Sequence, residues 1–423
     1  MVALDKIKRL SQIQRFKDIP VPSRVAYPGA HCPLFGAALV LEGVSDAWMV
    51  VIGTEECTYY TKNFTLHRPG FGGLDGRCVS FVMDQDDITF GCAETLSSAL
   101  TAFVKERNPP AVFLITTCLL EISGEDVERT TRRVTEATGV PILTVRTEHF
   151  ICENHLPGME RAITACAALA EPPHGQTAGV NLLGGRLGSS EGFELRRALE
   201  ESGIAVRMRL PSLECMVEDL RRAASARVNI VLDSTALPYA RLMRERFGIP
   251  FVLFPRGVDP ERIRAAYIDL FGYMGFDAPA FLSHRYESAR AKADAARDIL
   301  RGRRFIYGNT TIPVFSFTAF LTQLGMEPSL ILTRDWSDAD QPSRDEILRI
   351  GHDPYIMRSA NLSSVRPLYD QLAPHVYIGH EDARGLKEQG IAQVTTDTCG
   401  GMIGYDLSEA VVDLMLEGVS RCA

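Results

Sequence analysis

No two of the ten cysteines are spaced Cys-x-x-Cys. That absence disfavours zinc ribbons, thioredoxin-type redox centres and the compact ferredoxin run. No Gly-x-x-x-x-Gly-Lys-[Ser/Thr] segment occurs, so the chain carries no P-loop for hydrolysing nucleotide. A net charge of −8 lacks the basic excess that neutralises phosphates, which argues against nucleic-acid partners. The longest uncharged stretch, Phe305–Met326, is broken by Gly308, Asn309, Pro313 and Gln323. A membrane span needs about 20 predominantly apolar residues, so no membrane association is expected. No apolar signal-like segment opens the chain, and a cytoplasmic location is the expectation. In such a reducing compartment cysteines do not form a disulfide framework. They are small buried hydrophobes or metal ligands.

What is present is ordinary globular composition, 46% hydrophobic and 23% charged, over 423 residues. Single hydrophobic cores stop growing at about 250–300 residues, so more than one domain is expected. Short apolar runs alternate with helical-period segments along almost the whole length. Expected strands include Ala47–Ile52, Val79–Met83, Ala111–Thr116, Pro141–Val145, Val180–Leu183 and Val228–Leu232; later ones include Arg304–Tyr307, Ser329–Thr333 and Val376–Ile378. Helices such as Glu94–Arg107, Pro238–Phe247 and Asp406–Glu417 lie between them. This order predicts an α/β fold of three Rossmann-like domains with parallel sheets. The boundaries read as 1–175, 176–300 and 301–423, the first joint lying in the Pro- and Gly-containing linker Glu171–Thr177.

In open α/β sheets, loops converge beyond the carboxyl ends of the strands. Cys57 follows the strand Ala47–Ile52, and Cys118 follows Ala111–Thr116. Cys32 sits in the turn Pro28-Gly-Ala-His-Cys-Pro33 before a helix at Leu34–Glu42. Cys166 and Cys215 fall at helical-period positions and read as core residues. Thiolates are soft ligands suited to iron–sulfur clusters. A four-iron cluster normally takes four ligands, so three cysteines leave it short, and the remainder must come from another residue type or another chain.

The segments His31-Cys-Pro-Leu-Phe-Gly-Ala-Ala, Gly53-Thr-Glu-Glu-Cys57 and Thr116-Thr-Cys-Leu-Leu-Glu121-Ile-Ser-Gly-Glu-Asp126 resemble the amino-terminal domain of the nitrogenase component 1 superfamily. The resemblance implies cluster ligation by Cys32, Cys57 and Cys118. It implies three plus three cysteines from a pair of subunits holding an 8Fe-7S P-cluster, or alternatively a 4Fe-4S cluster. The family's catalytic cofactor is held by one Cys and one His in the α-type subunit. Here Val231–Pro238 has no cysteine, and no histidine precedes Gly404-Tyr405-Asp406 closely; Cys399 is the soft ligand in that loop. The chain therefore resembles the β-type (K-like) subunit and is expected to bind no catalytic cofactor.

The expected function is an electron relay in a nitrogenase-like oxidoreductase. The partners are an α-type (D-like) subunit, in an α2β2 heterotetramer, and a transiently docking homodimeric 4Fe-4S ATPase reductase. Arginine greatly outnumbers lysine and no long extension precedes Cys32, so methylthio-alkane reductase, cleaving C–S bonds reductively, is the expected member. Alternatives are a nitrogenase proper, a tetrapyrrole-type reductase with a single 4Fe-4S cluster, a cofactor-assembly scaffold, and an unrelated nucleotide-binding α/β enzyme. Family β subunits place a serine ligand in the loop after the fourth strand. Here His149 stands near that place, and His149 or Cys152 would substitute, or both are merely packed. Leu183-Gly-Gly-Arg-Leu-Gly188 lacks the full dinucleotide-binding spacing, and Asp233-Ser234-Thr235 reads as a cap.

Overall fold

The computed structural model describes residues 3–21, 31–65, 76–152, 154–173, 175, 179–185, 192–254, 256–334, 336–358 and 365–421. The strands are β1 (Lys8–Arg9), β2 (Trp48–Gly53), β3 (Cys78–Val82), β4 (Val112–Thr116), β5 (Ile142–Val145), β6 (Gly179–Leu183), β7 (Ala205–Leu210), β8 (Val228–Val231), β9 (Phe251–Leu253), β10 (Arg304–Asn309), β11 (Glu327–Thr333), β12 (Tyr355–Arg358), β13 (Val376–Gly379) and β14 (Ala392–Val394). They form three sheets, ordered β3-β2-β4-β5, β7-β6-β8-β9 and β1-β12-β11-β10-β13-β14. Among the described residues every strand pairing is parallel except that of β1 with β12. The expected α/β class with parallel sheets is what the chain adopts. Near-continuous Val, Ile and Leu runs dictate it, because parallel strands are covered on both faces; every residue of β4 is buried.

Two compact units divide the chain. One comprises Ala30–Leu187 and Ile204–Leu253; the other comprises Met1–Gly29, Gly188–Gly203 and Phe254–Ala423.

The first unit holds the first two sheets. Its helices include α1 (Pro33–Leu41), α2 (Glu55–Tyr60), α3 (Gln85–Phe90), α4 (Ala93–Arg107), α5 (Cys118–Ser123), α6 (Val127–Thr138) and α7 (Leu156–Cys166). Helix α1 is apolar all round and almost wholly buried. It lies against α7 with no side chain between them at two points. A Cβ on Gly36 would meet the His155 carbonyl oxygen at 1.9 Å, and one on Gly158 would meet that of Pro33 at 1.8 Å. In the first sheet the chain runs from β2 outward to β3 and then returns to the other side of β2 as β4. The reversal of strand order between β2 and β4 is where such sheets open a crevice beyond their carboxyl ends.

The second unit holds the third sheet. The amphipathic arm at its start is docked, with Leu10 and Ile13 in the core. Arg9 lies over the Tyr355 ring, 3.7 Å from its centroid, and the Ser11 hydroxyl donates to Asp353 at 2.7 Å.

Candidate cluster site at the first sheet

Cys57 and Cys118 stand on either side of that reversal. Ile52 of β2 is in register with Thr116 of β4. Cys57 is not in an open loop as its sequence context suggests. The strand ends at Gly53 and α2 begins at once, Thr54 taking the N-cap and Glu55 and Glu56 the first turn, where acidic side chains suit the helix dipole. Cys118 is the first residue of α5. Cys32 is the N-cap of α1, with Pro33 in the first turn, where a missing N–H costs nothing. Each of the three cysteines thus sits in the first turn or at the N-cap of a helix.

All three are half-buried. Burial pushes the Cys118 thiol up, with added repulsion from Cys57 and Cys32, while the Leu119 and Cys118 amides partly offset it. Cys32 and Cys57 also line one cavity of about 290 Å³ with His31, Phe35, Glu56 and Tyr60. Thr54 Oγ1 donates to Cys57 Sγ at 3.5 Å. Among the described residues no three His, Cys, Asp or Glu side chains converge as ligands of a single metal ion. A cluster makes no such demand, because each thiolate binds its own iron.

The remaining cysteines separate by environment. Burial pushes Cys78 and Cys92 up to about 11 and Cys215 up to about 12, and raises Cys166 well above its ordinary value. All four are buried among the core side chains of the first unit, so these are packing residues. Cys215 is not helical; it bridges to Val44 just before the helix Val217–Arg221. Cys152 is half-buried, its thiol raised by burial against the opposing pull of Arg161, whose guanidinium lies 3.3 Å from the sulfur. His149 is half-buried at the start of a single turn, its ring 5.8 Å from that of Phe150. Cys399 is fully buried, and its carbonyl accepts from Arg256 at 2.8 Å. Asp233 caps its own turn, accepting from the Thr235 N–H and hydroxyl at 2.8 Å each. Cys422, together with Arg186–Gly188 of the glycine segment, lies outside the described residues.

The motif around Cys118 divides its labour visibly. Thr117 Oγ1 donates to the Ile52 carbonyl at 2.8 Å, tying the β4 turn to the end of β2. Glu121 accepts from Thr116 Oγ1 at 2.6 Å, from the Glu148 and His149 N–H groups at 2.7 and 3.0 Å, and from Thr147 Oγ1 at 3.2 Å. Gly124 ends α5 at φ +73°, Glu125 accepts the Cys92 N–H at 2.7 Å, and Asp126 caps α6. The motif's other polar side chains hold loops together, whereas Cys118 is left half-buried at the start of α5. Reading the sequence assigned no role to Glu121. Its signal was the spacing of three from Cys118, which places both on one helix face.

A family model described as nitrogenase component 1 type oxidoreductase matches residues 32–406. The chain belongs to that family. The match begins at the first of the three cysteines and ends at Asp406. Among similar proteins is the "nitrogenase iron-molybdenum cofactor biosynthesis protein NifE" of Nostoc sp., 25% identical over 370 residues, covering 82% of this chain and 74% of the relative. The protein of the same name from Clostridium pasteurianum is 24% identical over 374 residues, covering 85% and 79%. The "nitrogenase molybdenum-iron protein alpha chain" of Methanosarcina barkeri is 24% identical over 300 residues, covering 66% and 54%. A solved structure titled "Nitrogenase Cp1 at pH 6.5" superposes with a TM-score of 0.77 at 16% identity, covering 99% of this chain and 96% of the other; it shares the fold. No helix among the described residues is long and apolar enough to cross a membrane.

Proposed function

We propose that this chain is a subunit of a component 1-type assembly in which Cys32, Cys57 and Cys118 hold part of an iron–sulfur cluster, a partner subunit supplying the remaining ligands, and that the assembly builds a metal cofactor and passes it on. The ligand assignment is supported by three half-buried thiols at three helix N-termini, Cys57 and Cys118 following the two strands between which the first sheet reverses its order and Cys32 lining one cavity with Cys57. Their donor chemistry fits the group, since soft sulfur ligands on separate elements can each reach a different iron. When bound, such a cluster supplies one-electron redox chemistry. This chain's own part is to bind it, to exclude water through the buried walls of α1 and β4, and to tune it by hydrogen bonds and charge.

The assembly role rests on two supports. Relatives of comparable length are described as cofactor biosynthesis proteins. The two segments where the family's catalytic cofactor would be gripped offer no Cys–His pair: Asp233 is spent on its own turn, and Cys399 is packed in the core. A chain without permanent ligands for a cofactor is suited to releasing one.

The same missing pair also favours a second reading. In it the chain is the β-type relay subunit of a reductase, with an 8Fe-7S or 4Fe-4S cluster and an ATP-dependent reductase partner, acting on methylthio-alkanes. Anaerobic purification of the complex from its host, with iron analysis and identification of co-purifying chains, tests both. Under the assembly reading, the loaded complex activates a cofactor-free component 1 enzyme and reduces no methylthio-alkane when given reductase, ATP and reductant. Reduction of that substrate by the complex itself overturns the assembly reading in favour of the second. An iron-free chain overturns both.

A further inference from the structure

Glu121 lies one helical turn beyond Cys118, on the same face of α5. Four donors from two other segments converge on its carboxylate: the Thr116 hydroxyl at the end of β4, and the Thr147 hydroxyl with the Glu148 and His149 amides after β5. Burial opposes ionisation of this carboxyl, yet the hydrogen bonds from Thr116, Glu148, His149 and Thr147 outweigh it and hold the group below its ordinary range. The nearby cations are engaged elsewhere. Arg146 binds Glu128 through two contacts of 2.5 Å, and Arg161 is shared among Glu148, the Thr147 carbonyl and Cys152. Among the described residues the Glu121 charge is therefore held by neutral donors, and Arg146, bound to Glu128, acts on it only through space.

We propose that Glu121 is a positioning residue for the cluster bound at Cys118, fixing the turn after β5 against α5 and keeping a permanent negative charge beside the site that lowers the cluster's reduction potential. The inference rests on the ligand assignment proposed above. Electrons entering a centre near a fixed negative charge are disfavoured, so neutralising the charge makes reduction easier. A merely structural role would be satisfied by any acceptor of the right reach.

Two substitutions in the full complex, purified anaerobically, separate these roles. Glu121→Gln keeps the length and removes the charge, and its amide N–H₂ turns one of the converging donors into a donor–donor contact. Glu121→Asp keeps the charge and is one methylene shorter. Iron per chain and the midpoint potential, from a mediated titration followed by electron paramagnetic resonance, are read for each. Glu121→Gln is expected to retain iron and shift the midpoint upward, while Glu121→Asp stays near the unmodified value. Full iron with an unmoved midpoint in Glu121→Gln overturns the inference and leaves the ligand assignment standing. If the Gln form loses its iron, the Asp form carries the test: iron held at the unmodified potential supports the inference, and loss of iron there too overturns it. An iron-free unmodified complex overturns the ligand assignment itself.

Discussion

Gly158 of α7 and Pro33 of α1 approach so closely that a Cβ on the glycine would stand 1.8 Å from the proline's carbonyl oxygen. The contact is backbone against backbone, so nothing flexible can move aside. It also lies one residue from Cys32, and the helix that presents this thiol is located by the crossing.

Gly158→Ala and Gly36→Ala should therefore cost stability at or above the upper end of the about 1–3 kcal/mol typical of overpacking. Helix propensity alone would favour alanine by about 1 kcal/mol, so the sign of the change is diagnostic. Denaturant unfolding of each variant measures it, and a gain in stability would show that the two helices do not cross as described.

Cys118→Ser and Cys166→Ser should part in opposite ways. Cys118 is half-buried at a helix start, and serine there is an acceptable helix residue, so the loss should fall on bound iron with little change in unfolding midpoint. Cys166 is fully buried, and a hydroxyl without a partner there costs about 1–3 kcal/mol; that variant should keep iron per folded chain. Iron analysis beside thermal unfolding checks both, and equal iron in the two variants would contradict the assignment.

Much of the fold was legible because its strands are apolar runs buried on both faces; Val112–Thr116 could be little else. Strand β1 was not legible. Its two residues, Lys8 and Arg9, carry exposed charged side chains with no apolar pattern, and their backbone pairs with Ile356 and Tyr355. At the site, Pro33 and the strand-end positions of Cys57 and Cys118 were enough to put three thiols at the ends of elements. The work of Glu121 was hidden because three of its four donors come from a segment 26 to 28 positions downstream, brought alongside by the β4–β5 pairing. The helical glycines carried a signal that went unread. Gly inside an apolar helix pattern is costly and usually marks a close approach.

Thr117→Val tests the tie between the two cysteine-bearing turns. The side chains are nearly isosteric, but valine cannot donate to the Ile52 carbonyl. Orphaning a buried acceptor costs about 1–3 kcal/mol. Because Thr117 adjoins Cys118, amide exchange should quicken in α2 and α5 before it does in α4. Uniform exchange across these helices would mean the tie is not local.

Glu194 supplies a pH test in the unit that holds the third sheet. Its carboxylate is buried and accepts from Tyr267 Oη at 2.8 Å and from the Tyr405 and Asp406 N–H groups at 3.0 and 3.3 Å, at the start of the helix Tyr405–Ser420. Arg285 stands 3.7 Å away and is also engaged by Asp406 and Glu409. Burial dominates, and with the Asp406 charge it overcomes the Tyr405, Tyr267 and Arg285 contributions, pushing the carboxyl up to about 7 from 4.5. Between those values the folded state holds a proton that the unfolded state releases. Glu194's own contribution to stability is thus greatest below about 4.5 and falls as pH rises through 7, by on the order of 3 kcal/mol in all. Glu194→Gln removes the ionisation, so the difference in amide protection of the helix Tyr405–Ser420 between the unmodified chain and the variant should shrink, then reverse, as pH rises across this window. A difference that stays constant with pH would mean the carboxyl does not titrate there, and that the hydrogen bonds from the helix start outweigh its burial.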